Sequence, residues 1–145
     1  MRFDSLSILV ATAAVCSCAF AQELPARKVL TIDLAQTIAQ EALAKCRADG
    51  YKVTVRVVDA DNIVKVILRD DGAILNSVQV AQMRASAAVL SPFLVGRGGP
   101  NAPAGIPIRA DNQTIGAVGV SGAPGADKDA ACANAALSKV ADRLK

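Results

Sequence analysis

Between Thr114 and Asp129 the chain reads T-I-G-A-V-G-V-S-G-A-P-G-A-D-K-D. A short β-prone run gives way to glycines and a serine, then enters a helix through acidic residues. Backbone stripped of side chains beside a helix start is a place where a ligand can approach closely, and its N–H groups suit an anion or a carboxylate. Gly119, Ser121 and Gly122 are therefore candidate ligand-binding residues; the alternative is a tight strand-to-helix turn that holds nothing. The stretch is not a nucleophile elbow, because position 123 is Ala, and not a phosphate loop, because no G-K-[ST] follows. With no obvious acid, base or metal ligand in it, it points to binding rather than to chemistry.

The start of the chain has the pattern of a targeting segment. Met1 to Ala21 carries Arg2, then an apolar run, and ends Ala19-Phe20-Ala21, which reads as a secretory signal peptide (residues 1–21) cut before Gln22. The run is too short for a comfortable membrane span. A lipid anchor at Cys18 would need a better box than Val15-Cys16-Ser17 ahead of it. The expectation is a periplasmic or secreted protein with one domain over residues 22–145. That domain keeps two cysteines, Cys46 and Cys132, and an even pair in an exported chain predicts a disulfide. The alternative is two small buried apolar residues.

Seven elements follow from periodicity and turn chemistry. Thr31 to Asp49 reads as a helix, with Thr31 as N-cap, Asp33 at the positive end of the dipole and Gly50 as the stop. Cys46 lies on its apolar stripe with Ile38 and Ala42. Tyr51 to Val58 and Ile63 to Leu68 alternate as strands around the turn Asp59-Ala60-Asp61-Asn62. Leu75 to Leu90 is helical in composition, and Val78, Ala81, Ala85 and Ala88 form a small-residue face that lets a helix lie close to a sheet. Ser91 to Gly105 is a Gly/Pro-rich loop. Ile106 to Ile108 is an edge-like strand because Pro107 cannot donate to a ladder. Thr114 to Val120 is a strand, and Asp127 to Leu144 a helix. Strands joined by tight turns pair antiparallel, so the fold class is α+β, an antiparallel sheet covered by helices. First and last helices lying antiparallel on one face would bring Cys46 level with Cys132.

Composition excludes several functions. The chain has no histidine, which removes the usual general base near neutral pH, the commonest metal ligand and the usual haem ligand. A Ser-His-Asp or Cys-His site cannot be built from it. Its net charge of +3 is evenly scattered, and three Phe, one Tyr and no Trp leave few rings for stacking bases, so no nucleic-acid partner is expected. No catalytic residue and no metal site is assigned. Asp70 and Asp71 form a poor cation site and read as a solvated turn; Asp59 reads as capping its own turn. Arg69 and Arg84 are candidates for meeting a carboxylate, phosphate or propionate through their planar forks, against the alternative of salt bridging. Met83 is a candidate iron ligand against the alternative of packing.

Six pieces of sequence, in order, carry a family resemblance. They are Val55-Arg56-Val57-Val58-Asp59-Ala60, Arg69-Asp70-Asp71-Gly72-Ala73, Ala81-Gln82-Met83-Arg84-Ala85, Gly105-Ile106-Pro107-Ile108, Ile115 to Gly122, and Asp129-Ala130-Ala131-Cys132-Ala133. Together they resemble the GlcG/HbpS-like family. The resemblance implies a profilin-like fold, a homo-oligomer and a small-molecule ligand, haem above all; some members are described as haem-degrading. The chain departs from the family pattern in carrying Arg84 where the family helix has Lys, and in a shortened segment from Ser91 to Ala104. Without histidine, a bound haem would take Tyr51, Met83, a cysteine or a lysine as ligand, or sit uncoordinated.

Overall fold

A computed structural model of the chain describes residues 26–90 and 105–145. The expected signal peptide (residues 1–21) and all of the expected Gly/Pro-rich loop except Gly105, which opens a strand, lie outside the described residues. The first helix, α1 (Ile32–Ala48), starts where Thr31 accepts the Leu34 N–H at 3.3 Å, and its buried stripe runs from Leu34 to Cys46. Strands β1 (Thr54–Asp59) and β2 (Val64–Arg69) form the expected hairpin. Its turn is fixed by the Asp59 carboxylate, which accepts the N–H groups of Asp61 at 3.0 Å and Ile63 at 2.9 Å. The second helix is α2 (Ser77–Leu90). Strands β3 (Gly105–Ala110) and β4 (Gln113–Ser121) form the second hairpin, and α3 (Ala126–Lys139) closes the chain with a 3₁₀ turn at Ala141–Leu144.

All strand pairs are antiparallel, in the order β2-β1-β4-β3. The α+β class with helices on an antiparallel sheet is as expected, and Pro107 does sit on an edge strand. Helices α1 and α3 cover one face, where Val55, Val57, Val118 and Val120 join the helix stripes in the main core. Helix α2 covers the other face, over β4, β1 and β3, with Ala85 and Ala88 against Val58 and Ala117. Strand β2 lies outside the α2 footprint, so among the described residues no helix lies on one of its faces. The two helices of the main core are joined by a Cys46–Cys132 disulfide, Cα–Cα 5.5 Å, as the residue pairing predicts.

Strands β2, β3 and β4 shift or lengthen by one or two residues at their ends, and three boundaries carry a structural reason. Residues 51–53 are not in the ladder, although Val53 is buried and its carbonyl accepts the Asp70 N–H. Helix α2 begins at Ser77, because the chain first makes a turn in which Ser77 donates back to the Ile74 carbonyl. The last helix stops at Lys139. Its end tightens into the 3₁₀ turn, whose Leu144 carbonyl takes the N–H of Asp111 in the β3–β4 turn. Asp70 is also not a solvated turn residue. It is buried, held by Arg47 of α1 through bonds of 2.9–3.1 Å.

Candidate functional site

The glycine-rich strand has a packing cause. A Cβ at Gly119 would lie 2.2 Å from the Ala81 carbonyl oxygen and 2.7 Å from Ala85 N, so α2 rests directly on the β4 backbone. The small-residue face of α2 and the bare strand are two halves of one close contact. Gly122, at φ +136°, stands where a Cβ would meet the Lys52 carbonyl oxygen at 2.4 Å. Ser121 is buried opposite Thr54 in the β1–β4 ladder. The room at Gly119 and Gly122 is thus filled by the chain's own backbone.

Arg84 joins these residues. From α2 it donates to the Val120 carbonyl at 2.5 Å and to the Asp129 carboxylate at 2.6 Å. Asp129, only 2% exposed at the start of α3, also accepts the Ala123 N–H at 2.9 Å. Burial pushes its carboxyl above the ordinary value, while the Ala123 N–H and the Arg84 guanidinium pull it back. Arg84, Gly119, Ser121 and Gly122 are therefore brought together as a clamp that pins α2 to the β4–α3 turn. Arg69 is elsewhere, on β2, donating to the Ala73 carbonyl. Asp129 went unread in the sequence beyond its acidic character near a helix start; an acid one turn into a helix that follows A-P-G is the signal that marks it.

Asp70 and Asp59 are engaged as well. Hydrogen bonds from Arg47 hold the Asp70 carboxyl below the usual carboxylate range. Asp59 is committed to its turn and to Lys65 at 3.7 Å. Among the described residues no group of three or more acids or cysteines is placed to hold a metal ion, and no helix is long and apolar enough to cross a membrane. A shallow cleft of about 80 Å³ lies between the lead into α1 and the β1–β2 turn. Its basic residues are paired, Arg27 with Asp61 and Lys28 with Asp111, and it is far smaller than a tetrapyrrole requires.

Arg56 is different. It sits on β1 between Gly119 of β4 and Ile67 of β2, on the face that carries α2. Gln82 of α2 accepts from it at 3.0 Å, and its buried Nε has no hydrogen-bond partner. The alternation of β1 put Arg56 opposite the core valines but gave no sign that a helix would half-cover it.

Comparison with known proteins agrees with the architecture. The family model described as haem degrading protein HbpS-like matches residues 30–93 and 97–138. The crystal structure of HbpS is similar at a TM-score of 0.67 and 28% identity, covering 81% of this chain and 94% of that one. Klebsiella pneumoniae protein ORFY is similar at a TM-score of 0.67 and 25% identity, covering 80% and 94%. The PduOC:heme complex, at 22% identity and a TM-score of 0.67 over 77% and 94%, shares the fold. No curated protein matches the chain.

Proposed function

We propose that this chain, which belongs to the family described as haem degrading protein HbpS-like, is an exported protein that binds haem or a related tetrapyrrole and holds it without transforming it. The observation that carries the binding reading is the family match, which spans every element from α1 to α3 on a fold shared with HbpS. Holding rather than degrading is supported by the state of the acids. General acid–base catalysis needs a group free to give or take a proton. Asp129, Asp70 and Asp59 are each bound by a cation of their own chain.

The residues present fit the edge of a tetrapyrrole better than its iron. The chain has no histidine, and Cys46 and Cys132 are tied in their bridge. Haem, when bound, supplies redox chemistry at its iron; what the side chains of this domain offer is arginine donors and aliphatic surface. Export is supported by the leader pattern at Met1 to Ala21 and by the disulfide, a bond suited to an oxidising compartment. Assembly into a homo-oligomer belongs to the same reading and is supported by Met83 and Leu90, large apolar side chains exposed on α2.

Titration of the mature protein with haemin should give a saturable shift of the Soret band. A spectrum equal to that of free haemin at every ratio overturns the reading. Adding a reductant separates binding from degradation. The complex should lose its Soret band no faster than free haemin, and a protein-dependent acceleration would overturn the claim that haem is only held.

A further inference from the structure

The half of the sheet that no described helix covers carries a pattern that the described packing does not explain. The register sets Thr54 against Arg69, Arg56 against Ile67 and Val58 against Val64. Thr54 and Arg56 both reach α2, through Ser77 and Gln82. Partners across a ladder project to the same side, so Arg69, Ile67 and Val64 share that face, beyond the reach of α2. Ile67 is 41% exposed there, and Leu75, in the turn before α2, is 93% exposed. Among the described residues no carboxylate lies within ion-pair distance of Arg56 or Arg69, although eight of the fourteen described cations have one.

An arginine half-sunk beside aliphatic surface, steered by Gln82 and with no described carboxylate beside it, is a prepared donor for a charged acceptor. Arg56 and Arg69 are diagonal neighbours across one strand pair, roughly 7–8 Å apart at their backbones. We propose that this face is a binding site for a flat apolar molecule bearing two carboxylates: the ring lies on Ile67 and Val64, and the carboxylates meet Arg56 and Arg69. The proposal rests on the tetrapyrrole reading above and deepens it, because it assigns recognition to the carboxylate edge of the ring and makes the central metal dispensable. A second copy of the chain suits this face less well. A two-fold contact sets each patch against itself, and here that brings cations onto cations. The nearest acid in sequence, Asp70, is already taken by Arg47.

The test uses haemin, metal-free protoporphyrin IX and protoporphyrin dimethyl ester, followed by absorbance or fluorescence quenching with the full mature protein. Haemin and protoporphyrin should bind with similar Kd, and the ester about tenfold or more weakly, since each carboxylate–arginine bond contributes on that order. Arg69→Gln and Arg56→Gln should each raise Kd for the acids about tenfold and leave the ester unchanged, with Arg69→Lys recovering part of the loss. Arg69 is exposed, so its variant keeps the test valid if Arg56→Gln fails to fold. Wild-type affinity for haemin in both variants overturns the site while leaving haem binding standing. A wild-type protein that binds none of the three probes overturns both. If Ile67→Glu changes the mass in solution but not the Kd for haemin, the face is a contact between copies and the proposal falls.

Discussion

An added methyl group at Gly119 has nowhere to go, because the atoms it would strike at 2.2 and 2.7 Å belong to the backbone of α2 rather than to a movable side chain. Gly119→Ala should therefore destabilise by about 1–3 kcal/mol, the range for forced overpacking. Chemical denaturation should show a lower midpoint with an unchanged slope; an unchanged midpoint would mean that α2 can lift at no cost. Arg84 has a different role, and the effect of its loss depends on pH. Burial already raises the Asp129 carboxyl above its unfolded value, so its protonated form is the one the fold favours. The stability gained from that proton is complete below the ordinary carboxylate value and is lost as pH rises through the raised one. Arg84 is 18% exposed and supplies the buried carboxylate's only cation among the described residues. Arg84→Ala should cost about 3–5 kcal/mol at neutral pH by leaving that charge unpaired. The deficit should shrink as pH falls through the raised value, because a neutral carboxyl does not need the cation. Stability curves of wild type and variant that stay parallel from neutral to acid pH would sink this account.

Elements were easier to read in the sequence than the contacts between them. Periodicity, Thr31 and the Asp59 turn mark α1 and the first hairpin, because those signals are local. The end of the last helix was not legible: it tightens into a 3₁₀ turn whose Leu144 carbonyl is taken by a turn more than thirty residues earlier in the chain. Gly119 shows the same limit at the site. A bare strand reads equally as a ligand cradle or as a helix seat, and only the position of α2 decides between them. Arg84 was visible as a functional type, but its buried partner Asp129 was not, because burial depends on the whole fold. A long-range contact that did follow from sequence is Cys46 to Cys132, where residue type and position on the apolar stripe agree. This bridge joins α1 to α3 across a separation of 86 residues and is wholly buried. The double variant Cys46→Ala, Cys132→Ala should lose about 2–5 kcal/mol, mainly through the freedom returned to the unfolded chain. A reduced wild type should melt with the double variant. If oxidised and double-variant proteins melt together, the bridge adds nothing to packing that already holds the helices.

The molecule as a whole is unevenly supported, and its proposed site lies on the weak side. Among the described residues, strand β4 is paired on both edges and has helices on both faces, whereas β2 pairs only with β1 and is covered on one face only. Opening of β2 breaks one ladder and one helix contact, but opening of β4 requires the sheet and all three helices to give way. Local stability should follow that order. In the protein without ligand, amide hydrogens of β2 should exchange faster than those of Val118 and Val120 in β4. A ligand that lies on Ile67 and bonds Arg56 and Arg69 would bridge β1 and β2, so it penalises the opening that frees β2. Its effect is set by mass action, about 2.7 kcal/mol at a hundredfold excess over Kd. Saturating haemin should then slow β2 exchange by up to about a hundredfold, while β4 changes only with global stability. This pattern separates the uncovered face from the glycine-rich turn. Protection that instead begins at Gly119 to Ala123 and spares β2 would place the ligand at the Arg84 clamp, and the sheet face would no longer be the site.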